Sequence, residues 1–298
     1  MANTQLDLTV IAQDALGVLN KSIGLSKLVT KEKDIVPEQA SQAAVKGDIV
    51  KVPKVAGFTA QDKGLNDSVT LQDVTETAVT VNIDKHQTVG FSLAQIKSSL
   101  RGSDLSVTPL GNAIKAIGEA VDKDILALFP SFTGSAIDLS GGVTSAGLIS
   151  ARTALSNRGV PMSDRSLVMS NTAYGAALDV AKFVDYDKRG EGSAILTGGL
   201  RPLFGAMPYE SGLMTATSGN VTGAMFHRSG IVFCPRPLAS NSEYGIKSEV
   251  ITDPETGLTL RVEIGYDIVK KHEVFTVEVL YGVGVLDADA GQEITFLA

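Results

Sequence analysis

The C-terminal part of this 298-residue chain contains two long runs in which apolar residues alternate with other residues. Their apolar positions are Leu258, Leu260, Val262, Ile264, Tyr266 and Ile268, then Phe275, Val277, Val279, Tyr281, Val283 and Val285. Successive side chains of a β-strand point to opposite faces, so a period of two predicts an antiparallel pair with one buried face. Any fold for this chain must supply a core against that face.

The clearest helix signal lies in the middle of the chain. From Leu110 onward, apolar residues recur at the spacing of one helix face. Thr108 is a suitable N-cap, Pro109 suits the first helical position, and Pro130 marks the end. We therefore predict a helix from Pro109 to Phe129, which at 1.5 Å per residue is about 30 Å long.

Residues 134–240 alternate between helix and strand signals. Thr144 or Ser145 can cap one helix, and Ser170 or Asn171 can cap a second. Short apolar runs predict buried strands at 167–169, 224–226 and 231–233. This order of elements indicates an α/β segment.

The N-terminal segment has little apolar surface to bury within itself. A short amphipathic helix is predicted over residues 9–20, and a small polar connector follows Pro37. We expect such a segment to dock on another part of the protein or on another chain.

Two further strand signals, at 48–53 and 79–84, are separated by about 25 residues rich in Gly, Asp, Gln, Thr and Ser. A two-stranded ribbon is marginally stable alone in water, and its unpaired edges invite pairing with another chain. One interpretation is a surface loop, and the other is an arm that lies across a neighbouring subunit. The sequence pattern leaves both open.

Composition disfavours several classes of function. The chain is 44% hydrophobic with a net charge of −7, which is typical of a globular protein. Acidic residues outnumber basic ones by 33 to 26 and tryptophan is absent, so a basic or base-stacking nucleic-acid surface is disfavoured. No stretch approaches the roughly 18 apolar residues of a membrane helix, and the N-terminus does not resemble a secretory signal. We expect a protein that folds in a cytoplasm.

Residues that commonly carry chemistry are scattered along the sequence. His86, His227 and His272 are far apart in unlike contexts, so we interpret them as surface or interface histidines, with a convergent site as the alternative. Cys234 lies between Phe233 and Pro235 and is interpreted as a small buried hydrophobe. We expect no catalytic, cofactor-binding or metal-binding residue, and no enzymatic activity.

Three local patterns only weakly suggest a site. Gly282 and Gly284 lack the third glycine of a dinucleotide fingerprint, so we interpret them as allowing a neighbouring backbone to approach closely. The acids between Asp287 and Glu293 fall short of calcium-loop spacing and are interpreted as a solvated turn. Asp122 and Asp124 on the predicted helix are interpreted as solvated acids.

Several segments form an informative series. They are 11–29, 47–53, 80–86, 109–129, 165–178, 198–211 and the closing pair 257–262 with 279–285. In this order they resemble the arm, the two sides of the extended loop, the spine helix, the axial-domain segments and the closing strands of one family. That family is the major capsid (coat) proteins of tailed bacteriophages, with the Hong Kong 97 type fold. No single segment is specific, but their joint order is.

The resemblance implies an α+β fold with a defined division of the chain. Its parts are an N-terminal arm (1–46), an extended β-hairpin loop (47–90), a peripheral domain with the spine helix (91–135), an α/β axial domain (136–240) and the peripheral strands with the C-terminus (241–298). No stretch has the length of the inserted domain that some relatives carry, so the resemblance is to the coat-protein branch without one.

The resemblance also implies a function. Subunits would self-assemble as hexamers and pentamers into an icosahedral shell around double-stranded DNA, without sequence-specific DNA binding or membrane contact. Scaffolding, portal and decoration proteins are further implied partners. The protein would assemble in the host cytoplasm and reside in the virion.

The same family undergoes procapsid expansion, and some of its members are crosslinked. Gly111 and Gly118 can let the spine helix bend during expansion, or can permit close packing. Lys51, Lys54 and Lys63 lie in or beside the extended loop, but no local motif selects one as a crosslinking residue. The alternative to a viral capsid is an encapsulin-like nanocompartment shell that encloses cargo enzymes.

Overall fold

The computed structural model describes residues 17, 24–32, 49–55, 58–65, 68–69, 71–73, 76–94, 107–180, 183, 198–240, 246–253 and 257–298. Apart from Gly17, the helix predicted over residues 9–20 and the connector after Pro37 lie outside these ranges. The described part of the chain contains no helix that is both long and apolar enough to cross a membrane.

The described residues combine strands and helices in a mixed order. The strands are β1 (Thr30–Lys31), β2 (Ile49–Val55), β3 (Glu76–Asn82), β4 (Lys85–Ala94), β5 (Ile137–Leu139), β6 (Arg165–Ser170), β7 (Ala206–Ser211), β8 (Asn220–His227), β9 (Ile231–Arg236), β10 (Lys247–Thr252), β11 (Thr259–Asp267), β12 (His272–Val285) and β13 (Gly291–Leu297). The helices are α1 (Val107–Leu126), α2 (Ser145–Asn157) and α3 (Asn171–Leu178). The strands form a larger sheet, a smaller sheet and a separate hairpin.

The larger sheet has the order β1-β9-β12-β11-β10, and β4 also pairs with β12. The long strand β12 is its centre, because it pairs with β11 and β4 at its N-terminal end and with β9 at its C-terminal end. The predicted closing pair is β11 and β12, whose antiparallel register places Ile264 opposite Phe275. Val277, Val279 and Tyr281 are fully buried, which confirms the predicted buried face over the middle of the pair. At its open end the prediction is wrong, because Tyr266 and Ile268 are 46% and 71% exposed.

Helix α1 supplies the core against that face. Its buried apolar residues pack in one cluster with the sheet: Leu110, Ala113, Ile114, Ile117, Val121, Ile125 and Leu126. The observed helix begins at Val107, so the predicted cap Thr108 lies inside its first turn. It ends at Leu126 and not at Phe129, because Phe129–Ser131, with Pro130 near its start, form a separate short 3-10 helix. Gly118 is buried and Gly111 is half-buried within this continuous helix.

The smaller sheet has the order β5-β13-β8-β6-β7. Strand β6 is buried at every position, which confirms the strand predicted at 167–169. Thr144 caps α2 by accepting a hydrogen bond from the N–H of Gly147 at 3.2 Å. Ser170 likewise caps α3, with Ala173 as the donor at 3.0 Å. The two open cap assignments are therefore resolved in favour of Thr144 and Ser170.

Strand pairing bears on the predicted division of the chain, whose boundaries stay a proposal. Strand β13 lies near the C-terminus, yet it pairs with β8 and β5 in the smaller sheet. Strand β9 lies within residues 136–240, yet it pairs with β12 in the larger sheet. The chain therefore crosses between the two sheets more than once.

Candidate functional site

The hairpin formed by β2 and β3 is anchored to the larger sheet at its base. The two strands pair antiparallel, with Val50 opposite Val81. Val50, Val52, Val81 and Ile83 are buried, while residues between them on each strand are exposed. These four side chains form a separate small core with Val232 and Cys234 of β9. The inner face of the hairpin base is therefore buried within the subunit, and the opposite face is exposed.

Two glycines of β12 make this anchoring possible. A Cβ atom on Gly282 would collide with the backbone oxygen of Asn82, and one on Gly284 would lie 3.0 Å from a methyl group of Val81. The hairpin backbone thus lies directly against the sheet where side chains are missing. This confirms for Gly282 that a neighbouring backbone approaches closely, whereas the group that approaches Gly284 is the side chain of Val81.

The far end of the hairpin exposes large apolar side chains. Phe58, Leu65, Val69 and Leu71 are 62%, 103%, 65% and 88% exposed, respectively. We call the described residues 58–65, 68–69 and 71–73 the hairpin tip. The side-chain amide of Gln72 accepts from the N–H of Thr59 at 3.0 Å and donates to its carbonyl at 2.5 Å, which joins the two sides of the tip.

The lysines of the extended loop have different surroundings. Lys54 forms an ion pair with Asp287 at 3.0 Å, which ties the outer edge of β2 to the turn after β12. Lys51 and Lys63 are exposed. The acid Asp287 therefore serves as a tether for the hairpin and also accepts from the N–H of Asp289, 3.2 Å away.

The N-terminal segment 24–32 docks on the same subunit. The backbone N–H groups of Gly24 and Leu25 donate to the carboxylate of Asp122 on α1, at 3.0 and 3.2 Å. The side chains of Leu25 and Val29 enter the core beneath α1. We call residues 24–32 the docked arm.

The docked arm then extends the larger sheet. Thr30 and Lys31 form β1, which pairs parallel with Val232 and Phe233 of β9. The next residue, Glu32, is only 4% exposed and forms a two-pronged ion pair with Arg236 at 2.5 and 2.7 Å. Both charges lose water in this pair, so removal of either partner would leave an uncompensated buried charge.

The interpretation of Asp122 and Asp124 as solvated acids is wrong. Asp122 is 5% exposed, and burial raises its pKa to about 6 although backbone donors of the arm favour the carboxylate. Asp124 accepts a hydrogen bond from the hydroxyl of Tyr281 at 2.7 Å and lies 3.5 Å from the ammonium of Lys85. Burial, together with Asp124, raises the pKa of Tyr281. Gly118, one turn before Asp122, is buried as well, so this side of the helix is covered.

The three histidines lie apart. His86 on β4 contacts Glu278 of β12 at 3.3 Å, while His227 contacts the hydroxyl of Ser229 at 2.7 Å. Burial lowers the pKa of His227. His272 begins β12 at the far end of that strand from the hairpin base. The three therefore have no common partner among these contacts.

Cys234 lies within the hairpin base core. Its side chain is fully buried, and burial raises the pKa of the thiol to about 12, so a thiolate is strongly disfavoured. Within the described ranges, no group of three or more His, Cys, Asp or Glu side chains is arranged to hold a metal ion. The features that bear on function are therefore the exposed hairpin tip and the docked arm.

Comparison with known proteins gives a result only at the level of structure. No protein-family model matches the sequence, and no curated protein matches it. A solved structure from Mycobacterium phage Che8 is 18% identical, with 88% of this chain and 89% of that chain covered at a TM-score of 0.63. The capsid structure of the cyanophage P-SCSP1u is 16% identical, with coverage of 90% and 86% and a TM-score of 0.65.

A third similar structure is a virus-like particle from Pyrococcus furiosus. It is 11% identical, covers 95% of this chain and 96% of that chain, and has a TM-score of 0.53. At identities this low the likeness concerns the fold. The chain has the α+β Hong Kong 97 type capsid fold, as the sequence predicts.

Proposed function

We propose that this chain, with its Hong Kong 97 type capsid fold, is a major capsid protein that self-assembles into a closed shell. In finer detail, hexamers and pentamers would close an icosahedral head around double-stranded DNA in a tailed-phage virion. Scaffolding, portal and decoration proteins would be its partners, and assembly would take place in the host cytoplasm. The subunit's part in this function is structural and not catalytic.

The exposed hairpin tip is the observation that carries this proposal. Four large apolar side chains lie in water there, whereas the base of the same hairpin is buried. Burial of one Leu or Phe side chain stabilises by about 1.5–3 kcal/mol, so the tip can supply a substantial part of an interface. A neighbouring copy of the subunit is the surface that a capsid fold would provide.

Symmetry turns modest contacts into a stable shell. Each subunit repeats the same interfaces around closed rings, and each ring repeats them again with its neighbours. An individual contact can then stay weak enough to reverse during assembly, while the sum holds the shell together. The net charge of −7 supports a container that encloses DNA without gripping it.

A shell that encloses cargo enzymes is the second candidate. The likeness to the Pyrococcus furiosus particle covers nearly the whole of both chains, so the fold does not separate the two functions. Purified particles distinguish them: nuclease-resistant DNA would support the capsid, and a co-purifying enzyme would support the nanocompartment.

Assembly of the purified chain tests the proposal. We expect light scattering and negative-stain imaging to show closed shells, or rings that convert to shells. The chain would be expressed alone and, in a second sample, together with the genes adjacent to its own. A compact monomer or dimer under every one of these conditions would contradict the proposal.

The double variant L65D/L71D tests the role of the tip. Its side chains are fully exposed in the subunit, so the fold should persist, measured by circular dichroism, while assembly is lost. The matched control Q61D/S68D adds the same two charges at exposed positions of the same loop without removing apolar surface, and it should assemble. Assembly of L65D/L71D at the wild-type level would remove the tip from the interface.

A further inference from the structure

A cleft of about 440 Å³ lies where the docked arm meets the smaller sheet. Lys27 and Leu28 of the arm line it, together with the loop 162–166 before β6, with β7, and with Arg228 after β8. A space of this size is typical of sites for small organic ligands. Because two of the lining residues belong to the arm, the complete cleft exists only when the arm is docked.

The backbone of Arg228 holds these parts of the cleft together. Its carbonyl accepts a hydrogen bond from the hydroxyl of Thr30 in the arm at 2.8 Å. Its N–H donates to the carbonyl of Asp164 at 3.2 Å, in the loop before β6. The side chain of Arg228 is exposed. Fixed backbone contacts therefore set the shape of the cleft, and they include one to the arm.

Cations collect around this cleft, although the whole chain has a net charge of −7. Among the described residues that line it, Lys27, Arg165 and Arg228 are cations and Asp164 is an acid. A further cation, Arg152, donates from its guanidinium to the sulfur of the lining residue Met162 at 3.7 Å. Four cations against one acid give a local field that attracts an anion.

Arg165 is the buried member of this group, and its printed partners are all neutral. Its guanidinium donates to the carbonyls of Val160 and Pro161 at 2.6 and 2.7 Å, and to the hydroxyl of Ser156 at 3.4 Å. Burial and the charge of nearby Arg152 lower the pKa of this guanidinium. A buried cation without an acid as its partner is costly, so an anion bound in the adjoining cleft would offset part of that cost.

The cleft also has an apolar wall, which a bare inorganic anion would not use. Met162, Met207 and Tyr209 line it and are 50%, 46% and 37% exposed. Met207 and Tyr209 are two residues apart on β7, so their side chains point to the same face of the sheet. Thioethers and an aromatic ring make a suitable surface for a planar ring. Cations beside such a surface match an organic phosphate that carries a ring system.

A peptide strand is the other ligand that an edge strand such as β7 attracts. Among the described strands, β7 pairs only with β6. Pro208, however, lies within β7 and has no N–H to donate, which disfavours strand addition at this edge. A small ligand held by side chains is therefore favoured over a peptide.

We propose that the cleft binds a nucleotide, with Lys27 and Arg228 at the phosphate and Tyr209 against the base. The site lies within one subunit, so it is independent of what an assembled shell encloses. Since Lys27 belongs to the docked arm, a bound nucleotide would also hold the arm on the smaller sheet. The same chemistry would recognise a free nucleotide and a nucleotide within a single strand.

Calorimetric titration of the purified chain with deoxyadenosine monophosphate (dAMP) tests the site. We expect saturable binding with a Kd of about 1 mM or tighter. Inorganic phosphate and deoxyadenosine should each bind more weakly, because each lacks one half of the interaction. The variant K27Q/R228Q should weaken dAMP binding by about tenfold or more. The matched control K247Q/K270Q removes two exposed lysines outside the cleft and should bind as wild type does.

Three results of this titration would overturn the proposal. They are the absence of saturable dAMP binding, equal losses in the two double variants, and inorganic phosphate that binds as tightly as dAMP. Circular dichroism of each variant shows whether its fold persists.

A second variant leaves every cation of the cleft in place. Ser163 is exposed in the lining loop, so S163D brings an acid into the cleft and should weaken dAMP binding. The control S68D adds the same charge at an exposed position of the hairpin tip and should leave binding unchanged. Wild-type affinity in S163D would overturn the location of the site.

Hydrogen exchange tests the part that the arm plays. Addition of dAMP should slow amide exchange in residues 24–32, and unchanged exchange there under saturating dAMP would overturn the contact with the arm. Competition then identifies the source of the nucleotide. A short single-stranded oligodeoxyadenylate that displaces dAMP supports a nucleotide within a strand, whereas dAMP binding that the oligonucleotide leaves intact supports a free nucleotide.

Discussion

At the scale of single residues, Asp122 connects the N-terminal segment to the spine of the molecule. Its carboxylate, on α1, is buried against the docked arm and accepts hydrogen bonds from the backbone N–H groups of Gly24 and Leu25. A buried donor that loses its acceptor pays the cost of its desolvation. This acid is therefore a structural residue whose loss should be felt in the stability of the whole subunit.

Truncation of this side chain should destabilise the subunit. We expect D122A to lower the free energy of unfolding by about 1–3 kcal/mol, since it orphans the backbone donors of Gly24 and Leu25. Chemical denaturation measures this change. The control E119A lies on the same helix but removes only a half-exposed acid 3.7 Å from Lys115, so it should cost under about 0.5 kcal/mol. Equal effects of the two variants would contradict this role for Asp122.

The pKa of Asp122 gives a pH dependence with a definite sign. Burial raises this pKa from 3.8 to about 6 in the folded subunit, so the folded state binds the proton more tightly than the unfolded chain does. Asp122 therefore favours folding at low pH, and this contribution is lost as pH rises through about 6. Between pH 7 and pH 5, wild type should gain about 1 kcal/mol of stability relative to D122N. Parallel stability curves for the two proteins would contradict the assignment.

At the scale of elements, the position of the hairpin depends on the missing side chain of Gly282. The variant G282A would press a methyl group into the backbone of Asn82, and the hairpin must then shift away from the sheet. Overpacking of this kind typically costs about 1–3 kcal/mol, which thermal or chemical denaturation would detect. The control G265A lies in the neighbouring strand β11 with nothing within 4 Å of the added atom, and it should be close to neutral. A neutral G282A would show that the hairpin is not held against the sheet as described.

Elements defined by local patterns could be predicted from the sequence. The closing pair β11 and β12 and helix α1 depend on residues close together along the chain, and so do the caps, for which the sequence narrows each choice to two adjacent residues. Gly282 could be interpreted because a strand position without a side chain lets another backbone approach, whereas at Gly284 a side chain approaches instead. The extent of α1 was misplaced by a few residues at each end, which is where local signals are weakest.

Contacts between distant parts of the chain could not be predicted in this way. Asp122 and Gly24 are 98 residues apart, and Glu32 and Arg236 are 204 residues apart. From the sequence alone, a charged helix residue is predicted to be exposed to solvent unless its distant partner is known. The predictions for Asp122 and Asp124 were wrong for this reason. The same limit applies to β1 and β13, which join sheets whose other strands lie elsewhere in the sequence.

At the scale of the whole molecule, most apolar side chains of the two sheets are buried within the subunit, whereas those of the hairpin tip are exposed. The cores beneath α1 and around the smaller sheet are closed within the chain. The hairpin tip, by contrast, projects four large apolar side chains into solvent. A chain that exposes such a surface is suited to contacts that are repeated between symmetric copies.

We expect any expansion of an assembled shell of this chain to bend α1. The double variant G111A/G118A should leave assembly intact and slow expansion, because each glycine lowers helix stability by about 1 kcal/mol relative to alanine. Time-resolved scattering of wild-type and variant shells measures the rate. Unchanged kinetics would leave close packing as the role of these glycines, and the buried position of Gly118 already favours that role there.

Electron cryo-microscopy of the assembled particles tests the central claim most directly, because it shows where each hairpin lies. We predict closed shells in which Phe58, Leu65, Val69 and Leu71 of every subunit are buried against a neighbouring copy. Closed shells whose hairpin tips stay in solvent, or a protein that never forms a shell, would contradict this account.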